Sequence, residues 1–276
     1  NSVNQLGNIL NNGLDLWISN LMLTPLLMGQ VSIIKTLCVI FVQLCSTIEQ
    51  PFQPRLLKSY ASKDKEYFLS EMRLSMNVCG FFSAVAFAGF FAVGQLYYKL
   101  WLPSQDSAFL YYLTMAAVIN YVTDGISRPV YYVSTLTLKN KIPCFVTIGG
   151  GFLNVVAMYF LLKYTNLGAF AVVSTTTVIM VGINLFFNPI YAAKCLSIKA
   201  GFFYRIILRH IISIIVMLPA FYLIKQIIAP KTWIGLIFAA GVMFLVGIFI
   251  YVFINCTAMQ RRKLIFKIKQ KKAMKK

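Results

Sequence analysis

The sequence predicts an all-α fold, a polytopic bundle of about eight transmembrane helices, and three observations support this. Hydrophobic residues make up 59% of the 276 residues and charged residues only 12%, about half the charged share of an average soluble domain. The apolar residues fall into runs of roughly 20, the length that crosses a bilayer as a helix. Strands are excluded because the runs are too long and an open sheet edge cannot face lipid.

Eight apolar runs are long enough to be spans. Their predicted limits are 3–22, 30–48, 75–98, 108–136, 143–162, 167–191, 206–224 and 233–255. The connections are short except for residues 49–74, which are polar and contain an amphipathic stretch at 60–72.

The chain has a formal net charge of +19, and its basic residues are divided unevenly between the two sides of this predicted bundle. One side carries twenty basic residues: Arg55, Lys58, Lys63, Lys65, Arg73, Lys139, Lys141, Lys194, Lys199, Arg205, Arg209, Arg261, Arg262, Lys263, Lys267, Lys269, Lys271, Lys272, Lys275 and Lys276. The other side carries four: Lys99, Lys163, Lys225 and Lys231. The positive-inside rule predicts that the first side, including the C-terminus, is cytoplasmic. Because these residues lie between apolar runs, they do not indicate a nucleic-acid partner.

The basic tail at 258–276 has two interpretations. The sequence of its residues 261–276, RRKLIFKIKQKKAMKK, is typical of an interfacial segment that binds anionic lipid headgroups. It is equally typical of a stop-transfer anchor followed by a disordered end. Neither interpretation specifies a function.

Motifs for catalysis, cofactors and metals are missing from the sequence. The six cysteines are scattered singly, without a CxxC pair or a histidine cluster, which favours packing residues over a metal site or a disulfide framework. No Walker, HExxH, GxSxG or GxGxxG motif occurs. We therefore expect no catalytic residue, no metal and no cofactor, and a transporter rather than an enzyme.

Polar residues inside the first predicted helix form a continuous stripe. Their spacings of three and four residues place them on one helical face: Asn1, Gln5, Asn8, Asn12, Asp15 and Ser19. Such a stripe cannot face lipid, so it lines either a helix interface or a water-filled cavity. Its length favours the cavity.

The fourth predicted helix carries a second polar face, formed by Asn120, Asp124 and Arg128 at successive spacings of four. One interpretation is a self-neutralised pair, because Asp124 and Arg128 can make contact along a helix. The other is a site, because a carboxylate held by an arginine can be released by an ion or an anionic ligand. Pro129 predicts a bend near Gly125, since it removes one backbone hydrogen bond.

Weaker features lie in other spans. Glu49 is close to the cytoplasmic end of the second helix, and Gly149–Gly151 is expected to allow close helix packing. His210, beside Arg209, is expected at the membrane interface rather than in a catalytic role. In the sixth helix, polar and helix-breaking residues form a stretch that can bend: Thr177, Asn184, Asn188 and Pro189.

Three passages carry a resemblance to a known family. QLGNILNNGLDLWISNLML (5–23) looks like the helix that opens a second lobe, with its membrane-embedded aspartate. PFQP (51–54) followed by SYASKDKEYF (59–68) is similar to a cytoplasmic family loop, and KYTNLGAFAV (163–172) is similar to a YG-x-x-GAA helix entry, from which Phe170 departs. The chain thus resembles the polysaccharide-exporter branch of the multidrug/oligosaccharidyl-lipid/polysaccharide (MOP) flippase superfamily, above all the O-antigen (Wzx-type) flippases.

This resemblance implies an architecture and an activity. Residues 1–192 correspond to a MATE-like C-terminal lobe of six helices, 193–257 to the two extra helices of fourteen-helix members, and 258–276 to a basic cytoplasmic tail. An N-terminal lobe is expected to precede them in a longer protein. The implied activity is transfer of undecaprenyl-pyrophosphate-linked oligosaccharide across the bacterial inner membrane by alternating access, with polysaccharide-assembly proteins as partners.

Site roles follow as hypotheses from the resemblance and the polar faces together. Arg128 is expected to attract the anionic pyrophosphate, and Asn8, Asn12 and Asn120 to bind sugar hydroxyls. Asp15 or Asp124 is expected to bind a coupling proton or sodium ion.

Three other functions remain as alternatives. A cation-coupled multidrug exporter of the same superfamily would use the same acids, although the polar amides of the first helix argue against it. A membrane-embedded polysaccharide polymerase would be expected to need a larger outer loop than this sequence provides. A receptor without transport activity would not explain charged residues within two different helices.

Overall fold

The computed structural model describes residues 18–255, and this part of the chain is helical apart from short connections. Nine helices lie between Pro25 and Asn255, with one π-helical segment, Ile183–Phe187, between the sixth and the seventh. The helices are α1 Pro25–Glu49, α2 Phe52–Ala61, α3 Lys65–Trp101, α4 Ser107–Leu136, α5 Lys141–Tyr164, α6 Ala169–Gly182, α7 Asn188–Cys195, α8 Gly201–Ile228 and α9 Trp233–Asn255.

Several helices begin at a side chain that caps the first turn. The Asp64 carboxylate accepts a hydrogen bond from the backbone N–H of Tyr67 at 3.0 Å, and Asp106 accepts one from Phe109 at 3.1 Å. Thr24 caps α1 in the same way. Such caps satisfy N–H groups that a helix start leaves unpaired. Two of the few acidic residues, Asp64 and Asp106, therefore have a structural role as helix caps.

The chain is a multi-pass membrane protein. Six helical stretches are long and apolar enough to cross a bilayer: α1, α3, α5, α8, α9 and the stretch Ala169–Cys195. Helix α4 has 30 residues, enough to span, but its polar face makes it less apolar than these six. These stretches confirm the all-helical, membrane-spanning part of the predicted fold.

The outer surface supports the same conclusion. Large apolar side chains point outward along the spans: Phe145 is 74% exposed, Ile234 82% and Phe249 73%. A water-soluble protein rarely exposes a continuous apolar surface of this kind. Such a surface is suited to a lipid environment.

The structure sets the predicted limits more exactly. The stretch predicted at 60–72 is not one element, because the short helix α2 ends at Ala61 and the 37-residue α3 already begins at Lys65. The span predicted at 167–191 is confirmed as the stretch Ala169–Cys195, in which the helix continues through the π segment. Of the predicted span 3–22 only residues 18–22 are described, and they are helical.

Helix α3 packs against five other helices, α1, α2, α4, α8 and α9. Glycine permits close contact between α3 and α4, because a Cβ on Gly125 would lie 2.5 Å from the Cβ of Ser83. In the predicted close-packing run, a Cβ on Gly150 would lie 2.9 Å from Ile183 Cδ1, whereas a Cβ on Gly149 would meet no atom within 4 Å. Only part of that run is therefore used for packing.

The expected interfacial position of His210 is wrong, because this residue is only 1% exposed. It belongs to a neutral cluster, formed by His210, Ser213, Tyr251 and Asn255, where α8 and α9 pack beside Gly80 of α3. Asn255 Nδ2 donates a hydrogen bond to Ser213 Oγ at 2.8 Å, and His210 Nδ1 lies 3.4 Å from the Tyr251 hydroxyl. Van der Waals packing and such interhelical hydrogen bonds hold membrane helices together.

Candidate functional site

A cavity of about 660 Å³ lies between α1, α4, α5 and the stretch Ala169–Cys195. It extends to Asn140, the residue between Lys139 and Lys141 on the side that is rich in basic residues. Among the described residues that line it, three carry a formal charge: Glu49, Asp124 and Arg128. We call these three residues the charged cluster.

The charged cluster is built by α4 and the end of α1. Arg128 Nε and Nη2 each lie 2.8 Å from the same oxygen of Asp124, and Nη1 lies 3.6 Å from Glu49. The side chains of Glu49, Asp124 and Arg128 are 13%, 18% and 16% exposed. The pairing that the spacing along α4 allowed is therefore present, and Glu49 joins it from another helix.

The balance of charge in this cluster is negative. Two carboxylates surround one guanidinium, so the formal charge is −1 when both acids are ionised. In a partly dry cavity such charges interact more strongly than in water. The guanidinium of Arg128 is thus occupied by carboxylates rather than presented to the cavity as an unpaired cation.

A neutral hydrogen-bond network continues from the charged cluster across the cavity wall. The Tyr131 hydroxyl lies 3.2 Å from Asp124 Oδ1 and also within hydrogen-bond distance of Asn184 Oδ1. Asn184 Nδ2 lies 3.2 Å from Thr123 Oγ1 and 3.5 Å from Asn120 Oδ1. One amide of the π segment therefore contacts three side chains of α4.

Pro189 and the π segment leave the backbone carbonyl of Asn184 without a backbone donor, and this carbonyl joins the network. The Asn188 N–H bonds the carbonyl of Ile183, five residues earlier. The corresponding donor for the Asn184 carbonyl would be residue 189, and proline has no N–H. Ser127 of α4 supplies the missing donor, with its hydroxyl 3.2 Å from that carbonyl. Segments of this type are rare and often lie at functional sites.

The second proline near the site, Pro129, does not interrupt its helix. Pro129 lies inside α4, which continues to Leu136. Gly125, whose carbonyl loses a backbone partner through this proline, lies in close contact with Ser83 of α3. The helix is thus continuous through Pro129 with one backbone hydrogen bond missing, and the bend expected near Gly125 stays a prediction.

The structure brings three of the six predicted site residues together. Asn120, Asp124 and Arg128 all line the cavity. Asn8, Asn12 and Asp15 lie outside the described residues, as does the basic tail. Thr177, from the predicted bendable stretch, instead donates to the Ala116 carbonyl at 2.8 Å in the contact between α6 and α4.

Sequence reasoning missed Tyr131 and undervalued Glu49. Tyr131 follows Asp124 by seven residues and Arg128 by three, so it belongs to the same helical face. That spacing was available in the sequence. The approach of Glu49 to Arg128 was not available, because it depends on how α1 packs against α4.

Comparisons with known proteins identify a shared fold. No protein-family model matches the sequence. The chain is 24% identical over 267 residues to the uncharacterized membrane protein EpsK of Bacillus subtilis (strain 168), covering 96% of this chain and 52% of that protein. The structure is similar to that of the lipid II flippase MurJ in an inward closed conformation, with a TM-score of 0.61, 16% identity, and coverage of 94% of this chain and 53% of that one. The chain therefore spans about half the length of both proteins and has the fold of about half of a lipid II flippase.

Proposed function

We propose that this chain is about half of a flippase that transfers an undecaprenyl-pyrophosphate-linked oligosaccharide, such as an O-antigen unit, across the bacterial inner membrane. The observation that carries the proposal is the charged cluster inside a cavity of a bundle with a flippase-like fold. Ionisable groups inside a membrane bundle are costly, and they mark substrate or ion pathways. The chain contributes one lobe, and the rest of the protein closes the cavity.

Binding of the anionic headgroup requires a change of charge at the cluster. Arg128 is the cation for the pyrophosphate, but Asp124 and Glu49 now occupy it. A proton or sodium ion that neutralises Asp124 would free Nε and Nη2 of the guanidinium, leaving Glu49 as its remaining partner, and would remove the negative excess. Substrate and cation would then bind together, which couples transport to an ion gradient. Asp15 is a second candidate for the coupling cation.

The neutral part of the cavity suits the sugar portion of such a substrate. Asn120 and Asn188 line it together with Thr176 and Tyr191, and these groups can exchange hydrogen bonds with hydroxyls. Asn8 and Asn12 are proposed to add amides from the first helix. The lipid tail would remain against the apolar outer surface.

Orientation follows from the distribution of charge. We place the basic side, the C-terminus and the cavity end at Asn140 in the cytoplasm. Substrate would therefore enter from the side on which lipid-linked sugars are made. The basic tail would bind anionic lipid on the same side.

The test uses deletion of the full-length gene, complemented with wild type, Arg128→Ala or Arg55→Ala. Arg55 is the matched control, because its ion pair with Glu71 lies outside the cavity and its side chain is 51% exposed. Undecaprenyl-linked intermediates on the cytoplasmic face and surface glycan are measured at equal membrane abundance. We expect the intermediates to accumulate on deletion, clear with wild type and Arg55→Ala, and persist with Arg128→Ala.

One observation favours a second candidate, a cation-coupled multidrug exporter. The negative excess of the charged cluster would attract a cationic, apolar solute directly, without prior neutralisation. For that function, deletion would raise sensitivity to cationic dyes and leave surface glycan unchanged. That result would overturn the flippase proposal.

A further inference from the structure

We propose that Tyr131 is a positioning residue that couples the charge on Asp124 to the π segment Ile183–Phe187. This inference rests on the coupling role proposed above for Asp124. It begins from the hydroxyl of Tyr131, which lies within hydrogen-bond distance of Asp124 Oδ1 and of Asn184 Oδ1. A tyrosine hydroxyl carries one hydrogen and can donate it to only one of them at a time.

Both neighbours of this hydroxyl are acceptors, because the surroundings fix the orientation of the Asn184 amide. Thr123 donates its hydroxyl hydrogen to the Asn120 carbonyl at 2.8 Å, so its oxygen must accept from Asn184 Nδ2 at 3.2 Å. The amide oxygen then faces Tyr131, and also Asn188 Nδ2 at 3.5 Å. If the Asn184 amide were flipped, its Nδ2 would face Asn188 Nδ2, and two donors would oppose each other.

The charge on Asp124 decides which acceptor receives the hydrogen. An ionised carboxylate is the stronger acceptor, because charge-assisted hydrogen bonds are about twice as strong as neutral ones. When a proton or cation neutralises Asp124, this advantage is lost and Tyr131 donates to Asn184. The other ionisable groups that face this pair within the described residues are Arg128 on α4, and Glu49 and Cys45 on α1.

The π segment is suited to respond to this exchange. Asn184 belongs to a segment with irregular hydrogen bonding, and its own carbonyl already depends on Ser127 of α4. The side-chain bond to Tyr131 is a second attachment of the segment to α4. Neutralisation of Asp124 would strengthen this attachment and ionisation would weaken it. A local charge is thereby converted into a change in how two helices are joined, as in other two-state switches.

The test is hydrogen–deuterium exchange of the purified full-length protein in lipid nanodiscs, on peptides that cover residues 183–191. Four forms are compared: wild type, Asp124→Asn as a neutral carboxyl mimic, Tyr131→Phe, and the double variant. We expect Asp124→Asn to slow exchange in this segment about 2-fold to 10-fold in the presence of Tyr131, the range set by one net hydrogen bond. In the Tyr131→Phe background the same substitution should have no effect.

Tyr111→Phe is the matched control, because it removes a comparable hydroxyl bond to the Phe91 carbonyl, 2.8 Å long, between α4 and α3. It should leave the effect of Asp124→Asn on residues 183–191 intact. Peptides of α9 report whether each variant is folded. If Asp124→Asn does not fold, exchange of wild type and Tyr131→Phe at acid and neutral pH, corrected for intrinsic rates, gives the same comparison.

Equal effects of Asp124→Asn with and without the Tyr131 hydroxyl would overturn the inference, and so would no effect in either background. The exchange measurement needs no substrate, so its result is independent of the transport assay. A coupled π segment in a protein that moves no lipid-linked sugar would leave this inference standing and remove the proposed function. If Arg128→Ala abolishes transport but Asp124→Asn has no Tyr131-dependent effect on exchange, the proposed function stands and this inference is overturned.

Discussion

The charged cluster and the neutral cluster are polar regions beside the same stretch of α4. Asp124 and Arg128 face the cavity, while Ile126, between them, packs at Gly80 beside His210. In the charged cluster every formal charge has an opposite partner. In the neutral cluster His210 Nε2 makes no hydrogen bond of normal geometry within the described residues, although the backbone of Val122 lies beside the ring. Asn255 Oδ1 is also without a partner in that part of the chain.

The difference reflects access to water. A membrane bundle can hold charges where a cavity admits water or a ligand, because desolvation is then incomplete. The tightly packed contact between α3, α8 and α9 holds no ion pair among the described residues. The two polar atoms there that lack a partner of normal geometry cost less than an unpaired charge would. Removing a partner should therefore have large consequences in the charged cluster and small ones in the neutral cluster.

The largest effect is expected for Arg128→Ala. It leaves Asp124 and Glu49 as unpaired neighbouring carboxylates, and breaking a buried pair in this way costs about 3 kcal/mol or more. Adding Asp124→Asn to Arg128→Ala should recover part of the loss, since one stranded charge is removed. Thermal unfolding of the full-length protein in detergent measures both variants.

Arg55→Ala provides the control for this measurement. Its ion pair with Glu71 involves a half-exposed side chain, and such pairs contribute about 1 kcal/mol or less. If Arg128→Ala destabilises no more than Arg55→Ala, the cavity is as wet as the surface. The contrast between the two clusters would then have another cause.

A smaller effect is expected where the two regions share a helix contact. Gly125→Ala would place a Cβ 2.5 Å from the Cβ of Ser83, an atom that cannot move without the α3 backbone. We expect a loss of about 1–3 kcal/mol, as for other overpacked cores, and a shift of Asp124 relative to Glu49. Gly149→Ala, with open space at its Cβ, should be neutral or slightly stabilising because alanine favours the helix. A stable Gly125→Ala variant would show that α3 and α4 separate easily.

How far the sequence predicts this molecule depends on whether a feature is local. Apolar runs gave most of the spans, and the spacing of Asn120, Asp124 and Arg128 placed them on one face, because both depend on residues within the same helix. Glu49 could not be placed, since its partner comes from another helix. His210 was misplaced for a related reason. Its basic neighbours suggested the interface, whereas α9 covers this face of α8 and encloses the ring.

The smallest effect is expected in the neutral cluster, for His210→Leu. Leucine has a similar volume, the hydrogen bond lost to Tyr251 is long at 3.4 Å, and the substitution removes the buried Nε2 that lacks a partner of normal geometry. The free energy of unfolding should therefore change by less than about 1 kcal/mol, in either direction. Ser213→Ala is the comparison, because it removes the 2.8 Å bond from Asn255 and should cost about 0.6 kcal/mol, the average for such bonds in membrane bundles. Transport by His210→Leu should match wild type, since the residue lies outside the cavity lining. A transport loss without a change in stability would mean that protonation of this imidazole takes part in the cycle, and the neutral cluster would then have to be classed with the charged one.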